Sequence, residues 1–284
     1  MRKSIFEIIS ESYDIGTEIE RMKSMTMQEK VLYVGHEYKY TTLFEFVDDY
    51  CFKHWRHRGH CVDVVDFLET INFNELVDDA EENYESFMTI IEVIYNFWQQ
   101  VEYRLTSPIF KLKTQGNFYH LKDVLDNNLD RFNHIAHVDI VNDLVLVIEN
   151  KPEITAAAEY VDETLSLEVV RYNHRSLRGN LEEKKKILLA FAADLEPRRK
   201  EISQINKKLE DDIFFMLNNL NIRHNNRSKK DKNYKNHVAN MKKVTLEKWY
   251  DELYQMILLA YLSLEQAERT KKVDELKRKI VETK

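Results

Sequence analysis

The chain has 284 residues, 43% of them apolar and 32% charged, with only 5 glycines and 3 prolines. That length supports one large domain or two small ones, and the scarcity of turn-forming residues excludes a sheet-rich fold in favour of long helices with solvated faces. A missing apolar run of membrane length excludes a spanning helix, 2 cysteines exclude a disulfide framework, and a net charge of −7 excludes general coating of nucleic acid.

The opening residues, MRKSIFEIISESYD, meet acids at once and lack the long apolar core of a secretion signal, so a cytoplasmic location is expected. Thr26 with Glu29 three residues later reads as a capping box opening a helix. A helix follows from Thr42, with Leu43, Phe44, Val47, Tyr50 and Cys51 at helical spacing, and another from about Asp63. Residues 74–105 read as one long helix with Phe87, Ile90, Ile91, Ile94 and Tyr95 on a single face, ended by a break at Ser107–Pro108. NFYHLKDVLDNNL adds a helix. The period then changes: IAHVDIVNDLVLVIE is rich in β-branched residues around Asn142–Asp143, which predicts a small hairpin near residues 136–149 that must pack against helices.

Helices resume after Pro152. EITAAAEYVDETLSLEVVRY reads as one, and NLEEKKKILLAFAADLE as the next, with Asn180 as N-cap and Pro197 ending or kinking it. EISQINKKLEDDIFFMLNNL is a third. The last, TLEKWYDELYQMILLAYLSLEQAE, is expected to be capped by Thr245 and to bury Leu246, Trp249, Leu253, Met256, Ile257 and Ala260. The fold class is therefore mainly α, a multi-helix bundle with one hairpin. A boundary near Pro152 divides it into residues 1–150 and 151–284.

Charge is unevenly placed. In residues 222–243 the cations Arg223, Arg227, Lys229, Lys230, Lys232, Lys235, Lys242 and Lys243 stand against the single acid Asp231, so this segment carries +7 and the remainder −14. A basic patch on an acidic chain points to a localised anionic partner, although a solvated charged loop has the same composition.

Three clusters carry candidate chemistry. Cys51, His54, His57, His60 and Cys61 are residue types that zinc prefers. Steps of three residues precess by about 60° around a helix, so three such histidines cannot close on one ion unless Gly59 breaks the helix. The spacing matches no standard zinc pattern, and no metal or other cofactor is assigned. The plainer reading makes Cys51 core and His54, His57 and Arg58 a polar helix end, where Arg56 and Arg58 add positive charge; an RNA-facing surface is a minor alternative. Arg171, His174, Arg175 and Arg178 precede the helix at Leu181 and would hold a phosphate there, or form a solvated junction.

The third cluster is NIRHNNRS, residues 221–228. Cleaving RNA without a metal requires a general base for the 2′-hydroxyl, a general acid for the leaving oxygen and a cation on the phosphate. Histidine titrates in the right range, arginine offers a fork of donors, and asparagine can orient both. Arg223, His224, Asn225 and Asn226 are thus the candidate catalytic set. Arg227, Lys229, Lys230, Lys232, Lys235 and His237 are the candidate RNA-binding set, with Tyr234 and Trp249 as candidate stacking surfaces. Adjacent helical residues point about 100° apart, so Arg223 and His224 converge only at a helix end or across two chains.

Residues 181–268 resemble the HEPN domains, all-helical RNA-processing bundles frequent in bacterial toxins and abortive-infection proteins; the overall layout is similar to the AbiJ type. The resemblance lies in a long helix ending DIFFMLNNLNIRHNNRS, a polar stretch, then LEKWYDELYQMILLAYLSLE. The family motif places a histidine a few positions after an arginine and a polar residue. Arg223 matches the arginine and His224 the polar position, while no histidine stands from Asn225 through Lys230 and His237 lies fourteen positions after Arg223. Either histidine then substitutes, or the domain binds RNA without cutting it. The resemblance implies a metal-independent endoribonuclease toxin of phage defence that acts on RNA such as tRNA or phage transcripts. It also implies a homodimer in which the motif meets its twin. The competing expectation is a non-catalytic helical module that binds RNA or a protein.

Overall fold

The computed structural model describes residues 13–105, 109 and 111–282. The break expected at Ser107–Pro108 lies outside them. Among the described residues, twelve α-helices and five short strands make the fold mainly α, and the chain divides into two compact units, Met1–Asn150 and Lys151–Lys284. No helix among the described residues is long and apolar enough to cross a membrane.

In the first unit, α1 (Ile15–Lys23) starts at Asp14, whose carboxylate accepts the Thr17 N–H at 2.8 Å. The capping box expected at Thr26 does not form. Thr26 is fully buried in a π-helical turn, Ser24–Gln28, and donates its hydroxyl to the Met22 carbonyl at 2.7 Å. A capping box occurs instead at the head of α2 (Leu43–Tyr50): the Glu45 N–H donates to the Thr42 hydroxyl at 3.2 Å and the Thr42 N–H to the Glu45 carboxylate at 3.0 Å. Two 3₁₀ turns come next, then α3 (Val64–Thr70), capped by Asp63.

The long helix expected from Asn74 is two helices, α4 (Phe73–Asp79) and α5 (Tyr84–Leu105). Polar side chains supply the break. The Asp79 carboxylate accepts from the Ser86 hydroxyl at 2.7 Å and the Asn83 amide at 2.8 Å, and Asn83 accepts the Glu85 N–H at 3.1 Å. Helix α5 is buried almost all round and forms the centre of the unit, where Phe97 meets Phe44 and Trp55 edge-on. A second sheet, not expected from the sequence, joins β1 (Leu32–Val34), β2 (Lys39–Thr41) and β3 (Leu112–Thr114) in the order β2-β1-β3. After α6 (Phe118–Arg131), the expected hairpin pairs β4 (His134–Asp139) with β5 (Leu144–Glu149). Its turn holds Asp143 at φ 57°, and Asp139 accepts the Asn142 N–H at 2.9 Å. Helix α5 covers the free edge of β5. Asn96 donates to the Val145 carbonyl at 2.8 Å and accepts its N–H at 2.9 Å, and Glu92 accepts the Val147 N–H at 2.6 Å.

The second unit contains α7 (Pro152–Tyr160), α8 (Glu163–Tyr172), α9 (Leu181–Ile205), α10 (Lys207–Asn219), the single turn α11 (Asn236–Ala239) and the 40-residue α12 (Lys243–Glu282). The first helix expected after Pro152 is interrupted because Asp162 caps a new one, accepting the Thr164 and Leu165 N–H groups at 2.9 and 3.0 Å. Asn206 similarly separates α9 from α10, accepting the Leu209 N–H at 3.1 Å. Pro197 does not end α9, which continues to Ile205. Thr245 is not a cap either: α12 already begins at Lys243, and its buried face is Leu246, Tyr250, Leu253, Tyr254, Ile257, Leu258, Ala260, Tyr261 and Leu264. Trp249, expected in that stripe, is 45% exposed.

Candidate functional site

The loop between α10 and α12 holds the residues singled out for chemistry. It starts where Leu220 closes the last turn of α10, its N–H donating to the Met216 carbonyl at 2.9 Å. Asn221 takes the left-handed conformation at φ 62°, which asparagine tolerates better than most residues, and the chain turns away.

Arginine and asparagine build this loop. Arg223 is half-buried and reaches back to α9, where it pairs with the Glu196 carboxylate and donates to the Ala192 carbonyl at 3.0 Å. Its guanidinium also lies 5.3 Å from the centre of the Phe214 ring. Asn226 is fully buried. Its amide oxygen accepts the Asn221 N–H at 2.7 Å and its amide nitrogen donates to the Asn233 carbonyl at 2.8 Å, so one side chain ties both arms of the loop. Arg227 donates to the carbonyls of Ala239, the last residue of α11, and Met241 at 3.4 and 3.3 Å. Asn225 is exposed and accepts the Arg227 and Ser228 N–H groups at 3.3 and 3.1 Å, an Asx turn.

Histidine and lysine are left facing solvent. His224 is exposed, and its ring makes no hydrogen bond among the described residues. Lys229, Lys230, Lys232, Lys235, Lys242 and Lys243 are all exposed and form no ion pair among them. Elsewhere in this unit the lysines are divided: Lys185, Lys200, Lys248 and Lys272 also lack a carboxylate partner among the described residues, but the larger number are paired. Lys184, Lys207, Lys208, Lys271, Lys277 and Lys279 each meet a carboxylate within 4 Å. Asp231, the lone acid of the loop, accepts the Asn233 N–H at 2.9 Å.

His237 is exposed, as His224 is. It lines an open apolar hollow of about 380 Å³ with Phe215, Met216, Leu220, Met241 and Trp249, with Lys235 on its rim. Within one chain, therefore, the four candidate catalytic residues do not converge. Arg223 points to α9, Asn226 is sealed inside the loop, and only His224 and Asn225 are open to a ligand.

The two other clusters are arranged for structure. Arg171 pairs with Glu168 at 2.8 Å, and His174 is buried, bonding Ser176 at 2.8 Å. The amino end of α9, a natural phosphate position, is taken by the chain's own acid: Glu247 accepts the Gly179 N–H at 2.6 Å and the Lys184 ammonium at 2.8 Å. Lys184 also donates to Asp251 at 2.8 Å, which accepts the Tyr172 hydroxyl at 3.1 Å, and Tyr172 stacks on Tyr254 with ring centres 4.1 Å apart. Burial alone would raise the Glu247 carboxyl, but the Lys184 and Gly179 bonds outweigh it and hold it below its ordinary value.

In the first unit, Cys51 is fully buried, and burial pushes its thiol up to about 12. His57 bonds the Asn142 carbonyl at 2.7 Å and Trp55 donates to the Asp143 carbonyl at 3.3 Å, so this segment clamps the hairpin turn. Cys61 faces the Thr70 hydroxyl at 3.5 Å, and Gly59 sits at φ 63°. No group of three His, Cys, Asp or Glu among the described residues is placed to hold a metal ion. Comparison with protein-family models, with curated proteins and with solved structures finds no match to this chain.

Proposed function

We propose that the second unit binds RNA through the α10–α12 loop and that it is a HEPN-like, metal-independent endoribonuclease toxin of phage defence. The observation that carries the RNA-binding part is the row of six exposed, unpaired lysines from Lys229 to Lys243, in a unit whose other lysines are mostly matched by carboxylates. Unpaired ammonium groups on one loop form an electrostatic footprint for a polyanion, because each phosphate neutralised releases condensed counterions.

In this reading His224 is the acid–base residue. It is exposed, its ring carries no competing hydrogen bond among the described residues, and imidazole can both accept and donate a proton. Arg223 and Asn226 are positioning residues that hold the loop against α9 and against itself. One His224 cannot be both base and acid in a single cleavage step, so the active form is a homodimer in which two loops share one RNA strand. The test incubates purified protein with labelled RNA and tRNA in excess chelator. Wild type cleaves, and His224→Ala loses roughly 10²–10⁴-fold in rate while retaining RNA affinity. RNA left intact by wild type, with none retained, defeats the reading.

A second reading has a specific observation in its favour: the Arg223 guanidinium already pairs with Glu196 and is less available to phosphate. It makes the unit a non-catalytic module that binds RNA or protein. Tight RNA binding by wild type without cleavage at any pH selects it.

A further inference from the structure

Aromatic side chains in the second unit mostly cover one another. Tyr172 stacks on Tyr254, Phe191 touches Tyr254 and Tyr261, Tyr160 meets Tyr261, and Phe214 lies under the guanidinium groups of Arg199 and Arg223. Phe215 and Trp249 break this pattern. Phe215 is 64% exposed and Trp249 45% exposed, and neither ring contacts another ring or a cation among the described residues. The Trp249 indole N–H has no acceptor there either. Both rings line the hollow of about 380 Å³ between α10, α11 and α12, inside the roughly 300–1,000 Å³ range of small-ligand clefts.

The border of the hollow identifies its occupant. Lys235 and His237 line it, and the other exposed lysines nearby in the sequence, Lys229, Lys230, Lys232, Lys242 and Lys243, have no carboxylate partner among the described residues. Bare aromatic faces beside unpaired cations are the combination that holds single-stranded nucleic acid: bases stack on the rings while phosphates lie along the charges. A duplex cannot use it, because its bases are already stacked on one another. We infer that the hollow between α10, α11 and α12 is a nucleobase subsite, in which Trp249 and Phe215 take an unpaired base of RNA whose backbone runs over Lys235 and the neighbouring lysines. This inference rests on the RNA-binding reading and narrows its ligand to unstructured strands, loops or overhangs. Trp249 and Phe215 are binding residues here, with no part in the chemical step.

The test compares a labelled single-stranded RNA of about a dozen nucleotides, within the usual site size, with an abasic strand and a duplex of the same length. Wild type is expected to prefer the base-bearing single strand. Trp249→Ala and Phe215→Ala each weaken it by roughly 5- to 150-fold, the loss of one stacked base. Trp249→Phe retains most of the affinity, and binding of the abasic strand and the duplex is unchanged in all three variants. Both residues are exposed, so the variants should fold, which thermal unfolding checks. Equal binding of base-bearing and abasic strands by wild type overturns the inference. So does wild-type affinity in Trp249→Ala, even where Lys229→Ala with Lys232→Ala abolishes binding and leaves the RNA reading intact. A Trp249→Ala variant that dissociates a dimer with RNA affinity unchanged also overturns it, and makes the hollow a self-association face. Absence of any RNA binding removes both readings together.

Discussion

Replacing Asn226 separates a loop built for architecture from one built for catalysis. The Asn226 side chain is wholly buried and makes two hydrogen bonds, accepting the Asn221 N–H at 2.7 Å and donating to the Asn233 carbonyl at 2.8 Å. Asn226→Ala removes both and leaves two backbone groups without partners. An orphaned buried group costs about 1–3 kcal/mol. Asn221 and Asn233 are half-buried, so water replaces part of the loss, and the total expected is about 2–3 kcal/mol. For a unit of this size the melting point should fall by roughly 5–12 °C. Asn226→Asp keeps the acceptor for Asn221 but sets a carboxylate against the Asn233 carbonyl oxygen, and should cost at least as much. Circular dichroism measures the melting point, and limited proteolysis within residues 221–241 measures the loosening of the loop. An Asn226→Ala protein that melts with wild type and resists protease equally, yet no longer cleaves RNA, would refute the structural role and place this amide in the chemistry.

Three further outcomes rest on the same geometry. If single-stranded RNA sits on the lysine row, the slope of log affinity against log salt should flatten by about 0.7 for each lysine removed, so Lys229→Ala, Lys230→Ala and Lys232→Ala together change it by about 2; an unchanged slope places the phosphates elsewhere. The depressed Glu247 carboxyl adds stability that is present above its ordinary value of 4.5 and is lost as pH falls through the lower folded value, so Glu247→Gln should be less stable than wild type near neutrality and should lose part of the acid-induced destabilisation seen below pH 4.5 by thermal melts. The Cys51 thiol, pushed up to about 12 by burial, should resist alkylation in the native protein and react once urea unfolds it, as followed by mass spectrometry.

The fold was legible where burial is one-sided and long. The hairpin stood out because β-branched residues flank Asn142–Asp143, and α12 stood out because its stripe persists over many turns. The errors cluster where a polar side chain bonds its own backbone. Ser, Asp and Asn offer the chain an alternative to continuing a helix, so Asn83, Asp162 and Asn206 each divide a segment that apolar periodicity alone reads as continuous. Thr26 shows the reverse: it lies inside the π-helical turn Ser24–Gln28, its hydroxyl donates to the Met22 carbonyl behind it, and the chain ahead enters β1 instead of a helix. Strands β1, β2 and β3, three residues each, are too short to show alternation, and β3 joins its partners from a distant part of the sequence.

The site was legible as a location and not as an arrangement, and the reason lies in the difference between two cations. Residue counting in 222–243 treats arginine and lysine alike and arrives at +7. A guanidinium is planar, weakly hydrated and able to fork between several oxygens, so it is the cation that can be drawn into a loop to bind carbonyls; an ammonium is compact, strongly hydrated and favours water. Arg223 accordingly reaches the Ala192 carbonyl and Glu196, and Arg227 reaches the Ala239 and Met241 carbonyls, while six lysines remain at the surface. The charge offered to a partner is carried by the lysines, and the arginine that the motif comparison singled out helps hold them in place. The same partition bears on mutagenesis. Arg223→Lys keeps the charge but cannot reproduce the forked contact, so a loss of function in that variant reports on the shape of the loop as much as on a phosphate. His224, with no structural bond to lose, is the residue whose replacement tests the chemistry cleanly.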